Sequence, residues 1–352
     1  MREEAKMAVK WGVIGCGGIA ARRTIPEGIT KGSNSKLVAV MDTAPDKAKE
    51  ISEKYGVKGY LNEEELLKDP EVEAVYIATP TCLHASQTIL AAKHKKHVLC
   101  EKSMGMTVEE CEKMIQACKK ENVNLGVGFM MRFHSLHQKI KEMVKQGILG
   151  KIVFARAQLS CWYPLIPNAW RQIPKLGGGG SLIDMGSHCI DLLEFIMEAK
   201  VKSVSCFVGT LVQNYAAEDS STVMLKFENS AQGLVDNYFN IPDASSKNIL
   251  EIYGSKGSVI ARGSIGQMPT GEAIAYLEKE EKGYDAAQQR TTSSAEEIKF
   301  TPVNMYQAEI ESFSRCIEEN ISPSVCGEDG LWSQKVVLGC YKSAEEKRVI
   351  EI

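Results

Sequence analysis

No cationic excess marks this 352-residue chain: 42 Lys and Arg stand against 45 Asp and Glu, a net charge of -3. That balance argues against a nucleic-acid partner, which would normally meet a basic stripe. No apolar run approaches the roughly 18 residues that a bilayer span requires, so no membrane partner is expected. The opening MREEAKMAVK is charged where a signal peptide would be apolar, and the cytoplasm is the simplest address. No Cys-x-x-Cys occurs and the 11 cysteines are odd in number. Cys16, Cys100, Cys189 and Cys340 lie in apolar segments, where a reduced thiol packs as a small hydrophobe. Free thiols, rather than a disulfide framework or a zinc site, are therefore expected, and no metal. Internal repeats and low-complexity tracts are absent as well.

What remains is an ordinary globular composition, 44% hydrophobic and 25% charged, at a length that favours two domains. Short apolar runs alternate with helical ones as far as Phe129: strands at 10–14, 37–41, 57–60, 74–78, 97–100 and 125–129, with helices from about Ile19 and at 46–55, 63–68, 84–95 and 108–121. This rhythm predicts βαβ units and a parallel sheet covered on both faces. After Met130 the rhythm changes. Helices are expected over 136–146 and 182–197, a strand over 151–160, then strands over 201–212, 221–227, 231–239, 248–253 and 257–261. Short turns between them predict a mainly antiparallel sheet. The polar stretch 266–294 reads as an exposed excursion with one strand near 273–278, and helices at 305–320 and 328–347 finish the chain. The expected architecture is an α/β Rossmann domain over residues 1–129 and an α+β domain with an open-faced, mainly antiparallel sheet over 130–352.

Gly15-Cys16-Gly17-Gly18-Ile19-Ala20 follows the first strand and opens a helix, the setting in which a dinucleotide-binding turn counts. Gly15 permits the tight turn, Gly17 leaves room for a pyrophosphate and Ala20 lets the helix pack closely on the sheet. The helix N-terminus, with Gly18 and Ile19, offers free N–H groups to the phosphates. Asp42 ends the second strand, 22 residues beyond Ala20, where a carboxylate grips the adenosine ribose and repels a 2′-phosphate. Thr43-Ala44-Pro45 supplies no arginine for that phosphate, so NAD is favoured over NADP, although a helix cap would suit Asp42 equally. Thr79-Pro80 with His84, and Glu101-Lys102, lie at two further strand ends on the same sheet edge.

These residues resemble the Gfo/Idh/MocA oxidoreductase family, which includes glucose-fructose oxidoreductase and inositol dehydrogenase. The likeness extends through Gly128-Phe129-Met130-Met131-Arg132-Phe133, the run Gly177-Gly178-Gly179-Gly180-Ser181-Leu182-Ile183-Asp184-Met185-Gly186-Ser187-His188, Tyr253-Gly254-Ser255-Lys256-Gly257 and Gly327-Glu328-Asp329-Gly330. It implies a Rossmann domain followed by an open-faced sheet often used for oligomer contacts, hence a homo-oligomer. It also implies that Lys102, Asp184 and His188 sit beside the nicotinamide. The family's usual Glu-Lys-Pro is Glu101-Lys102-Ser103 here; without the proline a trans bond and a slightly altered path are expected, since a non-proline cis bond costs about 2.5–4 kcal/mol.

On that footing His188 suits the role of base for a hydroxyl proton. Lys102 suits donation to the substrate oxygen, and Asp184, one turn before His188, can orient hydroxyls or tune the imidazole. Spacing alone would make Asp184, Ser187, His188, Asp191 and Glu194 a solvated helix face; the preceding glycines and the resemblance reverse that for Asp184 and His188, leaving Asp191 and Glu194 structural. Arg132 could meet substrate or form an ion pair. Trp170 and Arg171 suit a sugar pocket, while Trp162 and Tyr163 could anchor their loop. His134 and His137 are expected to be surface or structural, and His94 and His97 solvated. The expected activity is NAD-dependent oxidation of a secondary hydroxyl of a sugar or glycoside. Two stretches, Arg22 to Ile29 and Gly283 to Arg290, look like a gut-bacterial branch that oxidises glucoside C3. Inositol or polyol dehydrogenation, or a non-catalytic NAD-sensing regulator, are the alternatives.

Overall fold

Apolar strands with helices on either side need parallel pairing, and that is how the first half folds in the computed structural model, which describes residues 8–278, 286 and 294–352. Strands β1 (Val9–Ile14), β2 (Ser35–Met41), β3 (Lys58–Tyr60), β4 (Ala74–Ile77), β5 (His97–Glu101) and β6 (Leu125–Gly128) form one sheet in the order β3-β2-β1-β4-β5-β6. Every pair in it is parallel. This is the doubly wound dinucleotide-binding order, with its switch point beside β1. All strand ends therefore emerge on one edge, where Gly15, Asp42, Thr79 and Lys102 follow β1, β2, β4 and β5.

The helix after the glycine turn, Ala20–Ile29, is wound wide, with π-type hydrogen bonds and Pro26 inside it. Its neighbour on the same face of the sheet comes from much later in the chain. Helix Met305–Glu319 lies against it and against β1: Trp11, fully buried, donates its indole N–H to Ser314 Oγ at 3.1 Å and packs 5.6 Å from the Phe313 ring.

The second sheet contains β7 (Ile152–Ser160), β8 (Val201–Gly209), β9 (Ser220–Phe227), β10 (Gln232–Tyr238), β11 (Ile249–Gly254), β12 (Gly257–Arg262), β13 (Glu272–Leu277), β14 (Ser294–Glu297) and β15 (Ile350–Glu351), in the order β14-β13-β12-β11-β7-β10-β9-β8-β15. The pairings are antiparallel except β10 with β7. The parallel pair arises because the chain leaves β7, builds helix Ser187–Met197 and a meander, and returns beside its starting strand. One face carries that helix and Gly327–Glu346 over a core of Leu182, Ile190, Val223, Phe227 and Val235. The other face is open and exposes Phe207 and Met224. The architecture is thus a Rossmann domain plus a mixed, mostly antiparallel sheet domain.

Two local readings change, and one alternative is decided. The strand expected over 201–212 stops at Gly209, because the N–H groups of Leu211, Val212 and Gln213 turn onto the buried Asp219 carboxylate instead of a neighbouring strand. For His134 and His137 the structural alternative holds: both are fully buried. Their rings stack at 4.5 Å, and each bonds to a backbone carbonyl, Thr270 O and Met131 O respectively. His97 is half-buried and accepts the Asn124 N–H at 3.0 Å. Of the stretch Gly283 to Arg290, all but Ala286 lies outside the described residues.

Candidate active site

The glycine turn is shaped by what crowds it. Gly15 adopts φ +84°, and a Cβ there would come within 2.9 Å of Thr79 Cγ2 and 3.0 Å of the Ala78 carbonyl. Its N–H donates to Met41 O at 2.9 Å, fastening the turn to the end of β2. Gly17 has bare backbone facing Asp42, whose Oδ2 would lie 3.7 Å from a Cβ at that position. The other oxygen, Oδ1, accepts the Ala44 N–H at 3.0 Å, so the carboxylate caps the next turn and still faces the glycines. Gly18, φ +48°, has open space beside it. A cradle that a side chain would fill, at a helix N-terminus with a carboxylate beside it, fits a dinucleotide.

At the next strand ends the Thr79 hydroxyl donates to Gln87 Oε1 at 2.6 Å and Pro80 caps helix Thr81–Lys93. His84 is buried, with Nε2 2.9 Å from Thr79 O and Nδ1 2.9 Å from Ser103 O. Its ring ties two strand ends together and does not line the cavity below. The Lys102–Ser103 peptide is cis, correcting the trans expectation. The turn is held from two sides, by His84 on the Ser103 carbonyl and by Ser103 Oγ on Ile183 O at 3.3 Å. Glu101 receives the Tyr76 hydroxyl, which in turn accepts Thr24 Oγ1 at 3.0 Å. The missing side chain of Gly128 leaves room for it, since a Cβ there would sit 3.3 Å from the Glu101 carboxyl carbon. Burial pushes the Glu101 carboxyl upward, against the pull of Tyr76 and Lys102.

Lys102 Nζ donates to Asp184 twice, to Oδ1 at 2.6 Å and to the backbone carbonyl at 2.7 Å. Arg171 Nε reaches the same Oδ1 at 3.2 Å, and its guanidinium lies 4.2 Å over the Trp170 ring. Burial alone would raise the Asp184 carboxyl, but Lys102 and Arg171 override it and hold it well below the usual range. Asp184 sits in a wide π-type turn, Leu182–Gly186, that leads into helix Ser187–Met197; such turns are frequent at functional positions. His188, one turn on, is 9% exposed and meets the edge of Phe129 at a 6.2 Å ring separation. Its Nδ1 is buried without a protein partner. Burial, reinforced by the Lys102 charge, pushes the imidazole down to about 3.

Glu101, Lys102, Arg171, Asp184 and His188 all line one cavity of about 370 Å³, together with Ile19 from the glycine turn. Trp170 lies beside it as the platform under Arg171. Arg132 lies elsewhere. It is clamped bidentately on Asp191, with contacts at 2.5–3.1 Å, and reaches Asp329 at 3.2 Å, so it forms the ion pair of the second alternative, and it does not line the cavity. The helix stripe that spacing alone made a solvated face is instead buried at Ser187, His188, Asp191 and Glu194. The core residues around it, not its own spacing, decide that. Residues that sequence reasoning did not single out also line the cavity: Arg22, Tyr306, Ser160, Asp243, Asn248 and the Gly266–Gln267 tip. Arg22 could have been suspected from its place two residues past the fingerprint. The others carry no motif: Ser160 ends β7, Tyr306 lies in the first turn of the helix Met305–Glu319, and the rest come from connections between strands. Tyr163 lines the cavity too, whereas Trp162 is exposed.

Removing Arg132 leaves Asp191 as an uncompensated buried charge. Arg132→Ala should therefore cost about 3–5 kcal/mol of stability in urea denaturation, where a substrate-contact role would alter KM and spare stability. For His188 the unfolded imidazole takes up a proton near pH 6.5, while the folded one does so only near 3. Protons thus bind the unfolded chain preferentially between those values, and this group's contribution to stability falls as pH drops through that window. A His188→Asn variant should lose less stability on acidification than the parent, measured as unfolding free energy across the same window.

Comparison with known proteins places this geometry. Residues 9–129 match a family model described as "Oxidoreductase family, NAD-binding Rossmann fold", and residues 137–260 match the GFO/IDH/MocA C-terminal domain. A 1,5-anhydro-D-fructose reductase of Ensifer adhaerens is 28% identical over 347 residues, covering 97% of this chain and 98% of that protein. A myo-inositol 2-dehydrogenase of Thermotoga maritima is 30% identical over 346 residues, again 97% and 98% of the two chains. Among solved structures, an aldose-aldose oxidoreductase from Caulobacter crescentus complexed with glycerol superposes with a TM-score of 0.87 at 26% identity, over 98% of this chain and 100% of that one. With both halves matched and relatives alike along nearly their whole length, the chain belongs to the GFO/IDH/MocA family of oxidoreductases.

Proposed function

We propose that this chain is an NAD-dependent dehydrogenase that oxidises a secondary hydroxyl of a sugar or glycoside. The observation that carries the reading is the meeting of Lys102, Asp184 and His188 on one cavity that also reaches Ile19 of the glycine turn. The turn Gly15 to Ala20 would hold the pyrophosphate and Asp42 the adenosine ribose hydroxyls, and the Asp42 charge selects NAD over NADP. Thr79, Pro80, His84 and Glu101 shape the strand-end shelf beneath. NAD held there would supply the acceptor for the hydride of the carbinol carbon.

The chain's own groups handle the proton. The Lys102 ammonium has three N–H donors, of which two are spent on Asp184. The third is available to a substrate oxygen, where it stabilises developing negative charge. His188, held neutral by its surroundings, is in the form that accepts a hydroxyl proton. Asp184 fixes the ammonium, and Arg171 with Trp170 offers a charged arm and an aromatic wall to a sugar ring. Met130, Met131 and Phe239 in the lining exclude water from that side. We assign residues 1–129 to cofactor binding and 130–352 to substrate binding and assembly. The open sheet face with Phe207 77% exposed supports a homo-oligomer.

The relatives support a small sugar or cyclic polyol as substrate. Within that class we favour glucoside oxidation at C3, on the likeness of Arg22 to Ile29 to that branch; the myo-inositol 2-dehydrogenase relative favours an inositol as the second reading. NADH formation with a panel of glucosides, anhydro sugars and inositols tests both. Lys102→Ala is expected to lower kcat by about 10²–10³-fold on the accepted substrate. Turnover of none of the panel, or a variant indistinguishable from the parent, would defeat the enzymatic reading. Charged hydrogen bonds are worth about 1.5–3 kcal/mol, so Asp42→Ala should raise the Kd for NAD+ by roughly ten- to a hundredfold while leaving that for NADP+ little changed. Equal weakening of both in calorimetry would overturn the cofactor assignment.

A further inference from the structure

Three successive N–H groups at the start of the Asp184 turn end on one residue from a different part of the chain. Glu218 Oε2 accepts the Gly180 N–H at 2.8 Å, Oε1 accepts the Leu182 N–H at 3.0 Å, and the Glu218 backbone carbonyl accepts the Ser181 N–H between them at 3.0 Å. The first N–H groups of a helix have no partner within it, and here a distant carboxylate serves them in place of a local cap. Tyr341, from the helix Gly327–Glu346, donates its hydroxyl to the same Oε1 at 2.7 Å. The next residue, Asp219, is fully buried and takes three loop N–H groups at 2.7–2.8 Å, which fixes Glu218 two residues ahead of β9.

This arrangement explains the glycine run. A Cβ on Gly180 would run into the Glu218 backbone, and one on Gly179 into the Tyr341 phenol. It also lies one hydrogen bond from the reacting groups, because the Asp184 N–H donates to Gly180 O at 3.0 Å and the Asp184 carbonyl and carboxylate are the two acceptors of Lys102. A displacement of the turn therefore moves both anchors of the ammonium together.

We propose that Glu218, supported by Tyr341, is a positioning residue that sets the Leu182–Gly186 turn and thereby aims Lys102 and His188. The inference rests on the dehydrogenase reading above. Its test combines crystal structures of Glu218→Gln and Tyr341→Phe with steady-state kinetics. In Glu218→Gln the Lys102–Asp184 contacts should lengthen beyond hydrogen-bond reach. Its kcat should fall by roughly ten- to a hundredfold, with the KM for NAD+ unchanged. Tyr341→Phe keeps the carboxylate and should show a smaller fall in kcat in the same direction. Either variant retaining both Lys102 contacts and the parent kcat, even with lowered thermal stability, would overturn the proposal. If Glu218→Gln does not fold, Tyr341→Phe alone decides it by the same two readouts. A parent enzyme without turnover on any substrate would defeat the functional reading, while the crystallographic comparison would still decide the positioning one.

Discussion

The pairing of Lys102 with Asp184 is the joint on which the site depends. The lysine comes from the edge of the parallel sheet and the aspartate from the turn over the second sheet, so one partly buried ion pair, its side chains 9% and 23% exposed, links both halves of the cavity. In a low-dielectric setting neither charge would be stable alone. Arg171 adds a second cation to the same oxygen. The cluster as a whole therefore carries a surplus of positive charge that faces the cavity. That surplus suits an oxygen gaining negative charge, and it reinforces the burial that keeps the neighbouring imidazole uncharged.

Two wide helical turns frame this joint, Ala20–Ile29 after the first glycine motif and Leu182–Gly186 after the second. Each follows glycines whose absent side chains make room for something close by: Thr79 and Asp42 in one case, Glu218 and Tyr341 in the other. A π-type turn advances the chain differently from an α-helical one. The residues that follow therefore project in directions that plain helical spacing does not anticipate.

That difference marks what was legible in the sequence. The parallel sheet was, because buried strands and amphipathic helices carry distinct periods, and the glycine turn and Lys102 were, because motif and strand end coincide. The stripe from Asp184 to Glu194 misled on spacing alone, since burial on all sides is decided by Met131, Phe129 and the second sheet rather than by the helix itself. Arg132 was ambiguous because its partners, Asp191 and Asp329, lie 59 and 197 residues away. Gly266 and Gln267 belong to a stretch whose polarity suggested plain exposure, and only the turn after β12 brings them to the cavity. Long-range placement of this kind leaves no local mark.

The helix Met305–Glu319 has a consequence for how the protein is made. It supplies Phe313 and Ser314 to the otherwise complete first sheet, so that sheet keeps Trp11 uncovered until residues beyond 300 have been synthesised. A nascent chain with all six parallel strands formed would still expose an apolar flank throughout translation of the second sheet. The core on that face of the first sheet closes when the helix Met305–Glu319 docks on β1.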